Sequence, residues 1–304
     1  MLRISELRSL ILKAKQAYYF GGEAIMSDAA YDALEEELRA LDPQDDVLNS
    51  VGVPVPPDSI LTKAQHSIPM GSQSKVNSHE EFATWYEKSA ESGKILAGLK
   101  ADGASAAAYY ENGRLKQTIS RGDGFTGEDI TANAIRFQGL PAYAADDTGP
   151  FNGAVRFEVV LTVENWANID PSMAKNPRNL GTGIMGRKNG HQSEMLSVYV
   201  FDISEVRNGE PIDFATESAK SARAAELGFK LIPQQLCETQ EQAADYFDRI
   251  TAKREDLPFW IDGVVMKIDD IPQQLGLGTT SNRPKGQIAW KFENVGQETI
   301  LRSY

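Results

Sequence analysis

The stretch from Leu96 to Ile130, LAGLKADGASAAAYYENGRLKQTISRGDGFTGEDI, constrains this chain more than any other. An apolar run leads into Lys100-Ala101-Asp102-Gly103, and a second run, Ala104 to Tyr110, leads away. The pattern predicts a strand, a tight turn at Gly103 and a returning strand. Glu111-Asn112-Gly113-Arg114 is a hairpin turn signal. A third strand, Leu115 to Ser120, then delivers Arg121 into the glycine-rich loop RGDGFTGED. One lysine thus sits at a strand end, and one arginine stands one hairpin later beside flexible backbone. The layout suits a lysine nucleophile facing a phosphate. A lysine attacks only as the neutral amine, from a reference pKa of about 10.4. It therefore needs neighbouring cations or desolvation to shed its proton. A KxDG tetrapeptide by itself fits an ordinary hairpin with a solvated lysine equally well.

A chain of 304 residues with 41% hydrophobic content has room for one large domain and a smaller one. No apolar run is long enough to span a bilayer, and MLRISELRSL lacks a signal-peptide pattern, so a cytoplasmic location is expected. The single cysteine, Cys237, excludes an internal disulfide and a multi-cysteine zinc site. Three histidines show no metal-ligand spacing. A net charge of −12 argues against a broad nucleic-acid-binding face while leaving room for a local basic groove.

From the N-terminus, Leu7, Leu10, Ile11 and Ala14 mark the inner face of one amphipathic helix, ending at Gly21-Gly22. Ser27 caps a second, with Tyr31, Leu34, Leu38 and Leu41 inward and Asp42-Pro43 as its stop. Tyr18, Tyr19, Asp28, Tyr31 and Asp32 gather around the connecting loop. Aromatics beside carboxylates suit a flat cationic ring, although the same residues also serve as packing and as helix N-terminal charge. Residues 42–76, including Val53-Pro54-Val55-Pro56-Pro57, form a proline-rich connector expected to drape over the surface and let the small lobe move. It runs into His66-Ser67-Ile68-Pro69-Met70-Gly71-Ser72. Ser78 caps a helix carrying Phe82, Trp85 and Tyr86.

After the glycine loop a helix is expected near Glu128 to Ile135, then a turn from Pro141 to Gly153. The strand Val155 to Leu161 holds Glu158 inside an apolar run, so that carboxylate faces solvent or a polar cleft. Asn176-Pro177-Arg178-Asn179, with Gly181, Gly183, Arg187 and Lys188 beyond, is a basic helix start able to meet phosphate. Leu196 to Ile203 reads as a strand, and Thr216 to Leu227 and Glu238 to Lys253 as surface helices. In the strand Leu257 to Ile268, Asp262 and Lys267 share a face only if a bulge forms at Gly263. Lys291 lies in a further apolar strand, Ile288 to Phe292. Two such lysines need anionic partners, whether a phosphate, Glu158 or Asp262.

These motifs, in this order, resemble the N-terminal part of bacterial NAD-dependent DNA ligases. KxDG, SRGDGxTGEDIT, the strand with Glu158, NPRN, IDGVVMK and IAWKF match that family's nucleotidyltransferase motifs across nearly the whole chain. KxDG alone is shared with ATP-dependent DNA ligases, RNA ligases and mRNA-capping enzymes. The YY…SDAAYD pattern resembles the Ia domain, which separates NAD users from ATP users.

The resemblance implies an α+β fold: a small helical N-terminal lobe (1–60, the Ia domain, holding nicotinamide mononucleotide) and a nucleotidyltransferase domain of mostly antiparallel sheets flanked by helices (61–304). It implies that Lys100 becomes adenylylated, with Asp102, Lys267 and Lys291 as catalytic partners. Arg121, Glu158, Lys267 and Lys291 would hold the ribose and α-phosphate of AMP. Ser72, Gly98, Arg178 and Arg254 match further cofactor-binding positions. Tyr18, Asp28, Tyr31 and Asp32 match the nicotinamide mononucleotide site, where Tyr19 replaces a common histidine. Asp262, with Glu158, would hold Mg²⁺ (or Mn²⁺).

The implied chemistry is attack of Lys100 on the NAD α-phosphorus, its pKa lowered by Lys267, Lys291 and Arg121, followed by AMP transfer to the 5′-phosphate of nicked duplex DNA and sealing, in replication and repair. A monomer is expected. Two positions depart from the family: Gly98 stands where glutamate is usual, and the arginine after NPRN falls at Arg187. The resemblance stops at the approach to an OB-fold, so competent self-adenylylation with weak or absent nick sealing is expected, without zinc. The rival readings are an ATP-using polynucleotide ligase and a non-catalytic nucleotide-binding module.

Overall fold

The computed structural model describes residues 2–19, 25–43, 45–49, 61–90, 93–170, 174–280 and 283–292, with the backbone alone at 2, 16–19, 28, 29, 46 and 49. The expected helix stop at Gly21-Gly22 and the proline run 53–57 lie outside the described residues.

The N-terminal lobe is built from α1 (Leu2–Tyr19), α2 (Asp28–Leu41) and the short α3 (Asp46–Asn49). Leu7, Ile11, Leu38 and Leu48 form its own small core, with Ile4, Tyr31, Leu34 and Val47 packed around it. Ser27 caps α2 by accepting from the Ala30 amide, as its position before the apolar run predicts. Two expected inner residues are not inside: Leu10 is 38% and Leu41 51% exposed. They sit at the edges of their stripes, and Leu48 of the unforeseen α3 closes the core instead.

The connector does not drape over its whole length. β1 (Lys63–Gln65) pairs antiparallel with a later strand, and β2 (Ser74–Val76) joins a sheet edge in parallel. His66 pins the segment between them. Its Nε2 donates to the Ser120 carbonyl at 3.0 Å, which leaves Nδ1 to accept from the Tyr109 hydroxyl at 3.0 Å. Burial pulls the His66 pKa down, in keeping with that neutral tautomer.

Helix α4 (His79–Ser89), capped by Ser78, leads to β3 (Ile95–Ala101), β4 (Ala104–Glu111), β5 (Arg114–Ser120) and β6 (Thr126–Glu128), the partner of β1. That pairing turns Thr126 to Glu128 into a strand and shortens the expected helix to α5 (Thr131–Ala134). The turn region then holds a small hairpin, β7 (Ala145–Asp146) with β8 (Gly149–Pro150). Next come β9 (Gly153–Leu161), α6 (Val163–Ala167), α7 (Pro177–Met185), β10 (Leu196–Arg207), β11 (Glu210–Pro211), α8 (Glu217–Glu226), β12 (Gln234–Cys237), α9 (Gln240–Lys253), β13 (Ile261–Ile268) and α10 (Ile271–Leu277). A short hairpin of β14 (Thr279–Thr280) and β15 (Arg283–Pro284) precedes β16 (Gln287–Lys291).

The strands make two five-stranded sheets, ordered β11-β10-β9-β4-β5 and β12-β3-β13-β16-β2. All neighbours are antiparallel except β16 and β2. The β4–β5 hairpin forms as read, with Asn112 and Gly113 both at positive φ, the geometry of a type I′ turn. The expected return of β4 alongside β3 does not. β3 pairs with β12 and β13, whereas β4 pairs with β5 and β9. The Asp102-Gly103 turn thus passes the chain from one sheet to the other. Gly103 is required there, because a Cβ would lie 2.2 Å from the Val159 carbonyl oxygen.

Period-2 alternation then decides which side chains face the cleft between the sheets. Ile95, Ala97, Leu99 and Ala101 point into a core shared with Val264, Met266, Ile288, Trp290, Phe82 and Phe247. Leu96, Gly98 and Lys100 face the cleft.

Candidate active site

The cleft encloses about 390 Å³. Its floor is the second sheet, and strand register arranges that floor in transverse rows. In one row Gly263 stands opposite Lys100 on one side and Lys291 on the other. A side chain at 263 would meet the Trp290 carbonyl at 2.2 Å, so only glycine fits between the two lysines. The β13 register slips between Ile261 and Gly263 against β3. The bulge anticipated at Gly263 is therefore present, with Asp262 as the extra residue. Its carboxylate accepts from Lys100 Nζ at 2.8 Å through both oxygens and lies 3.7 Å from Lys291 Nζ. The next row runs Gln234, Gly98, Val265, Ala289 and Lys75. A third sets Lys267 between Leu96 and Gln287.

The facing wall belongs to the other sheet and its flanking segments. Glu158 accepts from Ser105 Oγ at 2.6 Å. Arg156 and Lys220 both pair with the buried Asp202. Arg121 donates to the Gly71 carbonyl at 3.1 Å and to Ser72 Oγ at 2.9 Å, tying the glycine loop to the segment held by His66. Asn176 caps α7 by accepting from Asn179 N, with Pro177 in the first turn. This delivers Arg178 into the cleft, where it pairs with Asp102. Lys267 donates to the Phe201 carbonyl at 2.9 Å and to Glu217 at 3.0 Å. Lys75, Lys100, Arg121, Arg156, Arg178, Lys220, Lys267 and Lys291 line the cleft, against the carboxylates Glu158 and Asp202. A chain of net charge −12 thus concentrates cations in one place, which suits a ligand carrying phosphates.

The protonation states follow from these contacts. Burial acts to lower the Lys100 pKa, but the charge and hydrogen bonds of Asp262 outweigh it and raise it. Burial acts to raise Asp262, and Lys100 with Lys291 brings it below the usual carboxylate range. Glu158 is pushed up by burial despite its bond from Ser105. The expectation that surrounding cations depress the Lys100 pKa is therefore corrected. The nearest group to the amine is a carboxylate, and it holds the ammonium form.

The structure gathers Ser72, Gly98, Lys100, Arg121, Glu158, Arg178, Lys267 and Lys291 in one cleft, with Asp262 and Asp102 attached through ion pairs. Arg254 stands apart, its guanidinium 5.9 Å from the centre of the Phe292 ring. Arg187 is also elsewhere, donating to the His191 carbonyl and to Gln192 beyond the end of α7. In the helical lobe Tyr31 donates to Glu35 at 2.6 Å, and Asp32 pairs with Lys75 at the cleft. The side chains of Tyr18, Tyr19 and Asp28 lie outside the described residues.

Several lining residues escape the sequence reading. Arg156 had a signal, since two residues before Glu158 on one strand means the same face. Lys75, Lys220, Asp202 and Gln234 reach the cleft only through pairing and packing. Lys267 finds its carboxylate in Glu217, a residue 50 positions away.

Residues 1–54 match the family described as "DNA ligase-like, N-terminal NAD+-binding domain", and residues 58–295 match "NAD-dependent DNA ligase adenylation domain". The chain belongs to the NAD-dependent DNA ligase adenylation domain family. Curated relatives agree. The DNA ligase of Treponema pallidum (strain Nichols) is 35% identical over 309 residues, covering 99% of this chain and 37% of the relative. That of Treponema denticola is 34% identical over 314 residues, covering 99% and 47%, and that of Sorangium cellulosum 33% over 328, covering 98% and 46%. The chain spans less than half the length of these ligases. Within the adenylation-domain family, the KxDG lysine is Lys100, and the cleft described above is where it lies.

Proposed function

We propose that this chain carries out the adenylylation half-reaction of an NAD-dependent DNA ligase. The observation that carries the reading is the row Lys100–Gly263–Lys291, which sets an amine beside a second cation at the floor of a cation-lined cleft. Neutral Lys100 Nζ attacks the α-phosphorus of NAD. An N–P bond forms, the phosphoanhydride bond to nicotinamide mononucleotide breaks, and the second amine proton passes to solvent. Lys291, Lys267 and Arg121 neutralise charge building on the phosphoryl oxygens. Arg178, oriented by Asp102, adds to this field. Asp32 and Tyr31 face the nicotinamide mononucleotide half from the helical lobe, Tyr18, Tyr19 and Asp28 stand at the sequence positions that match that site in the family, and closure of the lobe aligns the leaving group.

Among the described residues no cluster of three or more metal-binding side chains occurs. Mg²⁺, however, is held by one or two carboxylates plus waters and substrate phosphates, and Asp262 and Glu158 fit that partial donor set. When bound there, the ion would supply charge neutralisation at the phosphate. In the longer ligase, AMP then activates the 5′-phosphate of a DNA nick, and the adjacent 3′-hydroxyl displaces it. The overall acidic charge of this chain favours weak sealing by these residues alone.

Intact mass after incubation with Mg²⁺ and either NAD or ATP tests the reading. The expected result is a gain of one AMP with NAD only, abolished in Lys100→Ala. A gain with ATP only selects an ATP-using ligase, and no gain after removal of bound AMP selects a binding module.

A further inference from the structure

The floor of the cleft is uneven in a way the phosphate chemistry does not require. The rows on either side carry long cations, Lys100 and Lys291 in one and Lys267 in the other. The row between them is almost bare, with Gly98, Val265 and Ala289 side by side on β3, β13 and β16. Small residues on three adjacent strands leave a flat trough about two strand spacings wide, near 10 Å. Phe201 and Ile232 line the same cleft. A flat apolar trough beside a cationic phosphate site fits a heteroaromatic ring.

One end of the trough closes on Gln234. It is the residue directly opposite Gly98 on β12. A Cβ at position 98 would sit 3.7 Å from Gln234 Cβ and 3.6 Å from an Ile232 methyl. Gly98 therefore opens space beside Gln234 without any backbone demand of its own. The Gln234 side chain is half-buried and lines the cleft, and its amide makes no hydrogen bond with any described residue. Its neighbour Gln235 points the other way, to Arg249 at 2.6 Å.

We propose that Gln234 reads the Watson–Crick edge of the base in this trough, on a floor cleared by Gly98. The proposal rests on the adenylylation reading and names its base-specificity residue. Adenine offers an N6 amino donor and an N1 acceptor, and a primary amide answers both at once. An amide also reverses its donor and acceptor by a half-turn of its terminal torsion. It can then serve hypoxanthine, whose edge carries an O6 acceptor and an N1–H donor. A carboxylate, which only accepts, satisfies neither edge in full. The cleft should therefore accept the adenine and the hypoxanthine forms of the dinucleotide alike.

Single-turnover formation of the AMP or IMP adduct on Lys100, followed by intact mass against dinucleotide concentration, tests this with NAD and nicotinamide hypoxanthine dinucleotide. Wild type should half-saturate at concentrations within about threefold of each other. Gln234→Ala should raise both by about tenfold, the worth of a lost hydrogen-bond pair, with the saturating rate kept. Gln234→Glu should raise both by at least about tenfold, because a carboxylate sets an acceptor against adenine N1 and hypoxanthine O6 alike. If wild type reacts with NAD yet both variants match it within about twofold for both compounds, the inference is overturned and the proposed function stands. If wild type forms an adduct with neither, the proposed function falls and this inference with it.

Discussion

Lys100 Nζ meets both oxygens of Asp262 at 2.8 Å, and that contact sets the pH behaviour of the site. Its pKa is raised, so the reactive neutral amine is the minor form near neutrality and grows as pH rises toward that pKa. Adduct formation under single-turnover conditions should climb by about tenfold per pH unit through the neutral range, where a plateau would show that proton loss does not limit the step. Asp262→Asn removes the partner that raises the amine most, leaving only the weaker pull of Glu158. Burial and Arg178, both of which lower it, then dominate, and Lys100 should titrate below the ordinary lysine range. The pH dependence of Lys100 labelling by an amine reagent, read by peptide mass spectrometry, checks this. An unchanged midpoint would mean the carboxylate does not hold the proton.

At the scale of elements, the site depends on a turn that joins two sheets. Gly103 carries the chain from β3 to β4 with the Val159 carbonyl 2.2 Å from where a Cβ would be. Gly103→Ala must push apart the strand bearing Lys100 and the strand bearing Glu158. It should cost about 1–3 kcal/mol, as overpacking does, seen as a lowered denaturant midpoint with unchanged slope. A midpoint equal to wild type would show the turn relaxing without strain. The α7 cap works alongside: Asn176 starts a helix whose first turn aims Arg178 at Asp102.

Across the whole molecule, the helical lobe touches the larger body where the cleft opens. Lys75, from the cleft floor, pairs with Asp32 and lies 4.0 Å from Glu35 of α2, and Arg283 donates to the Leu48 carbonyl at 3.1 Å. Lys75→Glu sets a carboxylate against Asp32 and Glu35. The variant should show a larger radius of gyration in small-angle scattering and need more NAD for half-saturation, because repulsion opposes docking. Identical scattering curves would show that the lobe is held by other contacts.

Much of this was readable in the linear chain because it is written in local rules. Alternation, the asparagine–glycine hairpin, the Ser27, Ser78 and Asn176 caps, and the run of motifs from Lys100 to Lys291 need only near neighbours along the backbone. The positions of Leu10 and Leu41, the strands within 61–76, and the separation of β3 from β4 were not readable, since each depends on which distant strand or helix supplies a partner. The same holds for the chemistry. Residue types alone placed cations around Lys100, but register and one bulge put Asp262 nearest to it and reversed the direction of its pKa shift. Charge interactions depend on distances of a few ångströms between residues far apart in sequence, and strand register together with the packing of elements around the cleft sets those distances.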